Sequence, residues 1–343
     1  MKKYILEITV FICGAIGMIL ELIAARVLSP YVGSSNLIWT TIIGIMLTSM
    51  SLGYWIGGKK ADKNPNKDSL SDFILLGAIT ASLIPLFETI VVKQLSNISD
   101  NLVLVAMASA TIVFGIPSFV LATVSPFAVK LVDKEYINVG EVSGRISSLS
   151  TIGSIVGTFL GGFFLIPTFG TRTIIFGVVI VLLMLSILLH EKKDKKYFLL
   201  IAVIAISIIG FQAIGKVVFD RKNLDIIKDV DSEYSRIFVK QVAAKGTTYK
   251  TLQVDDGLES YIDEKTGKMG AEYLYYYNLA NYYLKNNKST LMIGGAAYTY
   301  PTYYLNNFKD KTIDVSEIDE KMTKLATSEF SLNTDNPRLH IYH

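Results

Sequence analysis

Thr290-Leu291-Met292-Ile293-Gly294-Gly295-Ala296-Ala297 decides how the C-terminal part of this chain is read. Four strand-forming residues run straight into four small ones, the pattern of a buried strand closing on a tight turn. Tyr298–Asn307 reads as the helix that follows, with Pro301 in its first turn, where a missing N–H is harmless. Thr312-Ile313-Asp314-Val315-Ser316 reads as a second strand, Glu317-Ile318-Asp319 as its tip, and Glu320–Phe330 as a second helix. The resulting βαβα order predicts a parallel sheet. Small residues after a first strand let the backbone approach a ligand and point helix N–H groups at it. An acid about 20 residues on, at the tip of the second strand, is placed to reach ribose hydroxyls. Glu317 lies 23 residues after Gly294. The turn alone also serves simply to pack a strand on a helix; turn and acid together point to a nucleoside cofactor without saying which.

Upstream, Ser235–Val242 and Thr251–Val254 read as strands, and Asp255-Asp256-Gly257 as a turn, giving a small β-hairpin region over about 230–265. Ala271–Leu284 carries Tyr and Leu at roughly helical spacing, and its stripe of Tyr273, Tyr276 and Tyr277 reads as packing.

The first 215 residues differ in kind. Seven runs are long and apolar enough to be transmembrane candidates: Tyr4–Leu28, Leu37–Gly57, Leu70–Val92, Leu102–Val132, Ile146–Pro167, Thr173–Leu189 and Tyr197–Ile214. The fourth holds Pro117 and Pro126 and exceeds what a bilayer needs, so a kinked helix or a broken segment is expected there. Composition agrees. Of 343 residues, 51% are hydrophobic and 18% charged, with a mean hydropathy of +0.41; soluble proteins carry about 25% charged residues. These values exclude a disordered chain. A net charge of +3, spread along the sequence, does not suggest a nucleic-acid binder. The single Cys13 excludes an intrachain disulfide and a cysteine metal cluster, and His190, His340 and His343 lack metal-ligand spacing, so no metal is expected.

Lysine and arginine gather at Lys2–Lys3, at Lys59, Lys60, Lys63 and Lys67, at Lys130, Lys134 and Arg145, and at Lys192–Lys196. This alternation predicts a multi-pass protein of the cell membrane with a cytoplasmic N-terminus. Seven crossings would then place the C-terminal region outside, whereas nucleoside cofactors lie inside the cell. Either one run fails to cross, with Leu102–Val132 and Tyr197–Ile214 the candidates, or the domain does not use a cytosolic cofactor. Glu21, Arg26 and Glu88 are the polar candidates at membrane depth. Arg26 reads as snorkelling, and Glu88 as structural. Glu21 stands evenly between a structural role and binding a cation. Gly153, Gly157 and Gly161, with Gly162, form a small-residue stripe for close helix packing.

Several stretches together resemble the membrane-fused spermidine synthase-like proteins. In the membrane part they are Glu21 through Gly33, Leu52-Gly53-Tyr54-Trp55-Ile56-Gly57-Gly58 with Ala61-Asp62, Gly144-Arg145-Ile146 through Gly153, and Leu165 through Arg172. In the soluble part they are Leu291 through Pro301 and Val315-Ser316-Glu317-Ile318-Asp319. The resemblance implies a multi-span N-terminal part, which the seven runs above make a transmembrane domain of about seven helices over 1–215. A spermidine synthase-like domain would follow over 216–343, with a partial Rossmann-like methyltransferase-fold unit over 270–343. It implies transfer of an aminopropyl group from decarboxylated S-adenosylmethionine to putrescine or another polyamine. Gly294, Gly295 and Ala296 would line the nucleoside site, Glu317 would hold the ribose, and Asp319 would shape the pocket.

Three positions depart from the family pattern: Ser235 follows Tyr234 where a glutamine is usual, Glu259 stands for a later glutamine, and no amine-gripping glutamate occurs near Tyr277-Asn278. The resemblance also implies a catalytic aspartate beyond His343, so this chain is expected to carry about half of such a domain. The other readings from sequence are a polyamine transporter or polyamine-binding membrane protein with an inactive nucleoside domain, and a methyltransferase-like enzyme with a different acceptor. The expected partners are the lipid bilayer and a polyamine, with homo-oligomerisation left open.

Overall fold

The computed structural model describes residues 4–132, 139–192, 197, 201–202, 226–244, 246–284 and 286–343. The chain divides into two compact units, Met1–Val218 and Phe219–His343.

The first unit is helical. Its elements are α1 (Ile5–Val32), α2 (Asn36–Lys63), α3 (Lys67–Ser82), α4 (Ile84–Ile98), α5 (Leu102–Ser109), α6 (Ile116–Ala122), α7 (Val124–Val132), α8 (Val139–Phe159), α9 (Ile166–Phe169) and α10 (Thr171–Leu189). Among the described residues, five helical segments are long and apolar enough to cross a membrane: Ile5–Val32, Asn36–Lys63, Leu102–Val132, Val139–Phe169 and Thr171–Leu189. A sixth is reached if α3 and α4, bent by 54° at their junction, count as one span. The run expected over Leu70–Val92 is thus a bent pair. Its cause is Pro85 at the start of α4, whose ring cannot continue the preceding helix. The run expected over Tyr197–Ile214 lies almost wholly outside the described residues. Over Leu102–Val132, where a kinked helix or a broken segment is expected, the chain runs as one helical segment with local irregularities. A π-helical turn, Ala110–Gly115, precedes Pro117, and Thr123 separates α6 from α7.

The glycine stripe sets the closest packing in this unit. A β-carbon on Gly153 would overlap the carbonyl of Phe11, and one on Gly157 the carbonyl of Ala15. Backbone therefore meets backbone along α1 and α8, the arrangement that small residues at one-turn spacing allow in a membrane.

The second unit holds two sheets. The first is an antiparallel meander of β1 (Ile226–Asp231), β2 (Arg236–Ala244), β3 (Thr247–Val254) and β4 (Gly257–Asp263), paired in that order. The region is larger than the hairpin expected from sequence. Its outer strands escape a hydrophobic pattern because Lys228 with Asp229, and Glu259 with Ser260, interrupt the apolar alternation. The second sheet is parallel, ordered β5 (Ser289–Ile293), β6 (Thr312–Ser316) and β7 (Leu339–Tyr342). A 3-10 turn, Glu272–Tyr277, leads into the short α11 (Asn278–Tyr283); α12 (Thr299–Asn307) links β5 to β6, and α13 (Glu320–Glu329) links β6 to β7.

Helix α13 serves both sheets. Met322 and Leu325 pack with Ile237, Val239 and Leu252 of the meander, while Ala326 packs with Ile313, Val315 and Leu339 of the parallel sheet. The period-2 rule sorts the parallel strands: Ile313, Val315 and Leu339 face inward, and Leu291, Ile293 and Tyr342 stand exposed on the other face. Arg338 closes the C-terminal end of α12. Its guanidinium donates to the carbonyls of Leu305 at 2.9 Å and Phe308 at 2.7 Å, groups that the helix itself leaves without donors.

Candidate functional site

Strand β5 carries its ladder one residue beyond its end, as the Gly294 N–H donates to the Ser316 carbonyl at 2.8 Å. The chain then bends sharply. Gly294 has φ +81°, Ala296 +48° and Tyr298 +53°. Only the first is a glycine; left-handed backbone at alanine and tyrosine costs about 1–2 kcal/mol each. The Tyr298 side chain holds the bend in place. It is fully buried, its hydroxyl lies 2.7 Å from Thr323 Oγ1, and its ring occupies the space where a Gly295 β-carbon would stand. Nothing lies within 4 Å of the corresponding point on Gly294, so the bend is open on that side.

Glu317 follows directly on β6 and turns its carboxylate into this bend. Oε2 accepts from the Gly295 N–H at 2.7 Å and the Ala296 N–H at 3.2 Å, and Oε1 accepts from the Asp319 N–H at 3.0 Å. The side chain is buried, so these are charge-assisted bonds in a region of low dielectric. Asp319 caps α13: its Oδ1 accepts from the Lys321 N–H at 3.0 Å. Its Oδ2 is buried and has no hydrogen-bond partner among the described residues. The structure therefore brings Gly294, Gly295, Ala296, Glu317 and Asp319 to one end of the parallel sheet. A carboxylate offers about four acceptor positions. Glu317 uses three, and Asp319 keeps one oxygen for a donor from elsewhere. His343 sits beside them, donating from Nδ1 to the Glu317 carbonyl at 2.8 Å.

The tyrosines form a neighbouring block. Tyr277 meets Tyr300 edge-on at 5.2 Å, and Tyr275 meets Tyr303 likewise at 5.2 Å. Asn278 joins them: it donates to the Tyr303 hydroxyl at 3.1 Å and accepts from that of Tyr300 at 3.3 Å. Tyr277 packs, as expected for the stripe, while Tyr276 projects into the surroundings. Burial pushes the phenols of Tyr298 and Tyr300 up from 10 to about 12. The unfolded chain ionises its tyrosines first, so it binds fewer protons than the folded one between these values. The C-terminal unit should accordingly hold its stability up to pH 10 and lose it as pH rises toward 12. Tyrosinate absorbance during an alkaline titration, set beside circular dichroism, checks this: both transitions should coincide above the normal tyrosine range.

The membrane-depth candidates lie on two helices, Glu21 and Arg26 on α1 and Glu88 on α4. Glu88 of α4 is fully buried and pairs with Arg172 of α10 at 3.6 Å, which ties two helices together. Glu21 is half-buried on α1, and its Oε2 has no hydrogen-bond partner among the described residues. Arg26 is half-buried one turn further along the helix. Glu7, near the start of α1, pairs with Arg145 of α8 at 3.3 Å.

Two features were not read from the sequence. The free oxygen of Asp319 depends on a count of tertiary hydrogen bonds, which no spacing reveals. The role of Tyr298 in holding the bend had one available signal, a bulky residue directly after four small ones. Compared with family models, curated proteins and solved structures, the chain gives no match.

Proposed function

We propose that Phe219–His343 is the nucleoside-binding part of a Rossmann-like domain of spermidine synthase type, carried by a multi-pass membrane unit. The protein would then act in aminopropyl transfer from decarboxylated S-adenosylmethionine to putrescine or a related polyamine. The observation that carries the reading is the Glu317 carboxylate lodged against the amides of Gly295 and Ala296. In dinucleotide sites such amides cradle a pyrophosphate. Here they already hold a negative charge, and a phosphate would meet it directly. The bend therefore favours an adenosyl compound without phosphate, of neutral or positive charge.

The residues present fit such a group. Glu317 retains an acceptor position and Asp319 Oδ2 a whole oxygen, together suited to vicinal ribose hydroxyls. The open side of Gly294 admits the nucleoside close to the backbone. When bound, decarboxylated S-adenosylmethionine supplies a carbon beside a sulfonium, which leaves readily when a neutral amine attacks. This chain's own residues bind and orient the nucleoside, and orientation is a major source of rate in a two-partner displacement. Counting α3 and α4 as one span gives six crossings by Leu189, which returns the chain to its cytoplasmic starting side; the domain then meets cytosolic cofactor if the following run does not cross.

The test is equilibrium binding to the full chain in nanodiscs. Decarboxylated S-adenosylmethionine and 5′-methylthioadenosine should bind, and NADH and ATP should bind at least about tenfold more weakly, a difference of 1.4 kcal/mol. Preference for NADH or ATP, or no binding of either adenosyl compound to the folded chain, would overturn the reading. A compartment reporter fused after Asp220 should read as cytoplasmic; an external signal counts against cytosolic aminopropyl transfer.

A further inference from the structure

Helix α2 carries one row of side chains graded like an amphiphile. Ile43, Leu47, Ser51, Trp55, Lys59 and Lys63 stand four residues apart and so follow one another along one side of the helix. All six are exposed, and so is Leu52 beside them. The row is apolar at one end, aromatic next and basic at the other. The Lys59 ammonium lies over the Trp55 ring, 3.9 Å from its centre, a contact that holds the cation close to the indole. Lys60 is exposed at the same end. Among the described residues, none of Lys59, Lys60 and Lys63 is paired with a carboxylate. Asp62, the one carboxylate of α2, meets Lys130 of α7 at 2.7 Å. Even with Asp62 counted, this end of α2 carries a surplus of positive charge. The dimensions suit a lipid. At 1.5 Å per residue, Ile43 to Trp55 spans about 18 Å, close to one leaflet's share of a hydrocarbon core of about 30 Å. Lys59 lies about 6 Å further, roughly the thickness of a headgroup layer.

We propose that this row binds an anionic phospholipid of the phosphatidylglycerol class. Its acyl chain lies along Ile43, Leu47 and Leu52, its glycerol meets the Trp55 indole, and its phosphodiester is held by Lys59 and Lys63. A phosphodiester has two unbridged oxygens, and ammonium groups one turn apart take one each in charge-assisted bonds. Indole rings favour the boundary between hydrocarbon and headgroup, which sets the depth. A headgroup with an ammonium of its own, as in phosphatidylcholine or phosphatidylethanolamine, brings a like charge against the lysines and is disfavoured. Lysines in a last turn also complement the helix dipole, but that role calls for neither the indole nor the apolar row below it. The inference stands on α2 alone and does not depend on the nucleoside site.

The chain has two tryptophans, Trp39 and Trp55, so Trp39→Phe leaves Trp55 as the reporter of this site. The full chain with that substitution is placed in phosphatidylcholine nanodiscs containing a rising fraction of brominated phosphatidylglycerol or, in parallel, of brominated phosphatidylcholine. Bromine quenches only a nearby indole, so the ratio of the two quenching curves gives the site's preference. Each lysine beside an anionic headgroup is worth about fivefold in affinity, and phosphatidylglycerol should be preferred by about tenfold or more. Lys59→Gln and Lys63→Gln should each lower the ratio by about threefold or more, and together bring it within about twofold of one. Lys59→Arg keeps both the charge and the contact with the ring and should retain the preference, which guards against a loss caused by misfolding. Trp55→Phe leaves Trp39, near the other end of α2, which should report a ratio near one. The proposal is overturned if the ratio read from Trp55 is within about twofold of one, if the double variant keeps it, or if Trp39 reports the same preference. Loss of the preference on adding millimolar glycerol phosphate would assign the lysines to a free anion and would overturn the lipid site as well.

Discussion

Gly157→Leu lowers the thermal midpoint of the helical unit by the equivalent of about 3 kcal/mol or more. The β-carbon alone would overlap the Ala15 carbonyl, and the atoms next nearest to it are Ala15 Cα at 2.6 Å and Ala15 C at 2.7 Å. All are backbone atoms of α1, so no rotamer change relieves the clash and the two helices must separate. Separation also opens the contact at Gly153, one turn earlier, where the Phe11 backbone packs in the same way. In a bilayer this loss is not offset by water release, because lipid tails are as apolar as the helix surface; close packing is itself the driving force. Gly144→Ala on the same helix is the control. Its β-carbon would meet nothing within 4 Å, and the better helix former should add up to about 1 kcal/mol. Helical circular dichroism during heating in detergent reads both. Equal midpoints for the two variants would show that the α1–α8 contact does not hold the unit together.

The second large effect is at Glu317. Glu317→Ala leaves the amides of Gly295, Ala296 and Asp319 without their acceptor. An unsatisfied buried donor costs about 1–3 kcal/mol, and three share this one carboxylate, so local stability should fall by about 3 kcal/mol or more. The bend already carries two non-glycine residues in left-handed conformation, Ala296 and Tyr298. Without the carboxylate it has less to hold it there. Hydrogen exchange over residues 289–319 should quicken by about a hundredfold or more, the counterpart of about 2.7 kcal/mol. Binding of 5′-methylthioadenosine should be lost with it. Glu317→Gln keeps one neutral acceptor and should fall between. Unchanged exchange in Glu317→Ala would mean that the bend is held by Tyr298 alone.

The sequence was legible where one local rule governed one local outcome. The strand Thr312–Ser316 is observed at the bounds its apolar alternation implies, and Pro301 sits in the first turn of α12, where its missing N–H does no harm. The glycine stripe implied intramolecular helix packing, and Gly153 and Gly157 do meet α1. Legibility failed where the outcome depended on a distant partner. Strand β1 reads poorly because Lys228 and Asp229 sit mid-strand; Asp229 is there to take a bidentate pair from Arg236 of β2, at 2.9 Å for both bonds. The bend between α3 and α4 had a visible sign in Pro85, but a continuous apolar run concealed it. Of the candidate site, the residues and their order along the sheet were legible. That Glu317 would spend three bonds on the protein itself was not, since only the folded chain brings residues 295 and 317 together.

That internal bonding bears on kinetics. Because Glu317 supplies the acceptors that the Gly295 and Ala296 amides need, the bend keeps its shape without a guest. On the nucleoside reading proposed above, an arriving nucleoside would land on a surface already assembled, and little of the protein would have to be ordered by the encounter. Arrival rates should then be alike across related nucleosides, and selectivity among them should be written in how long each one stays.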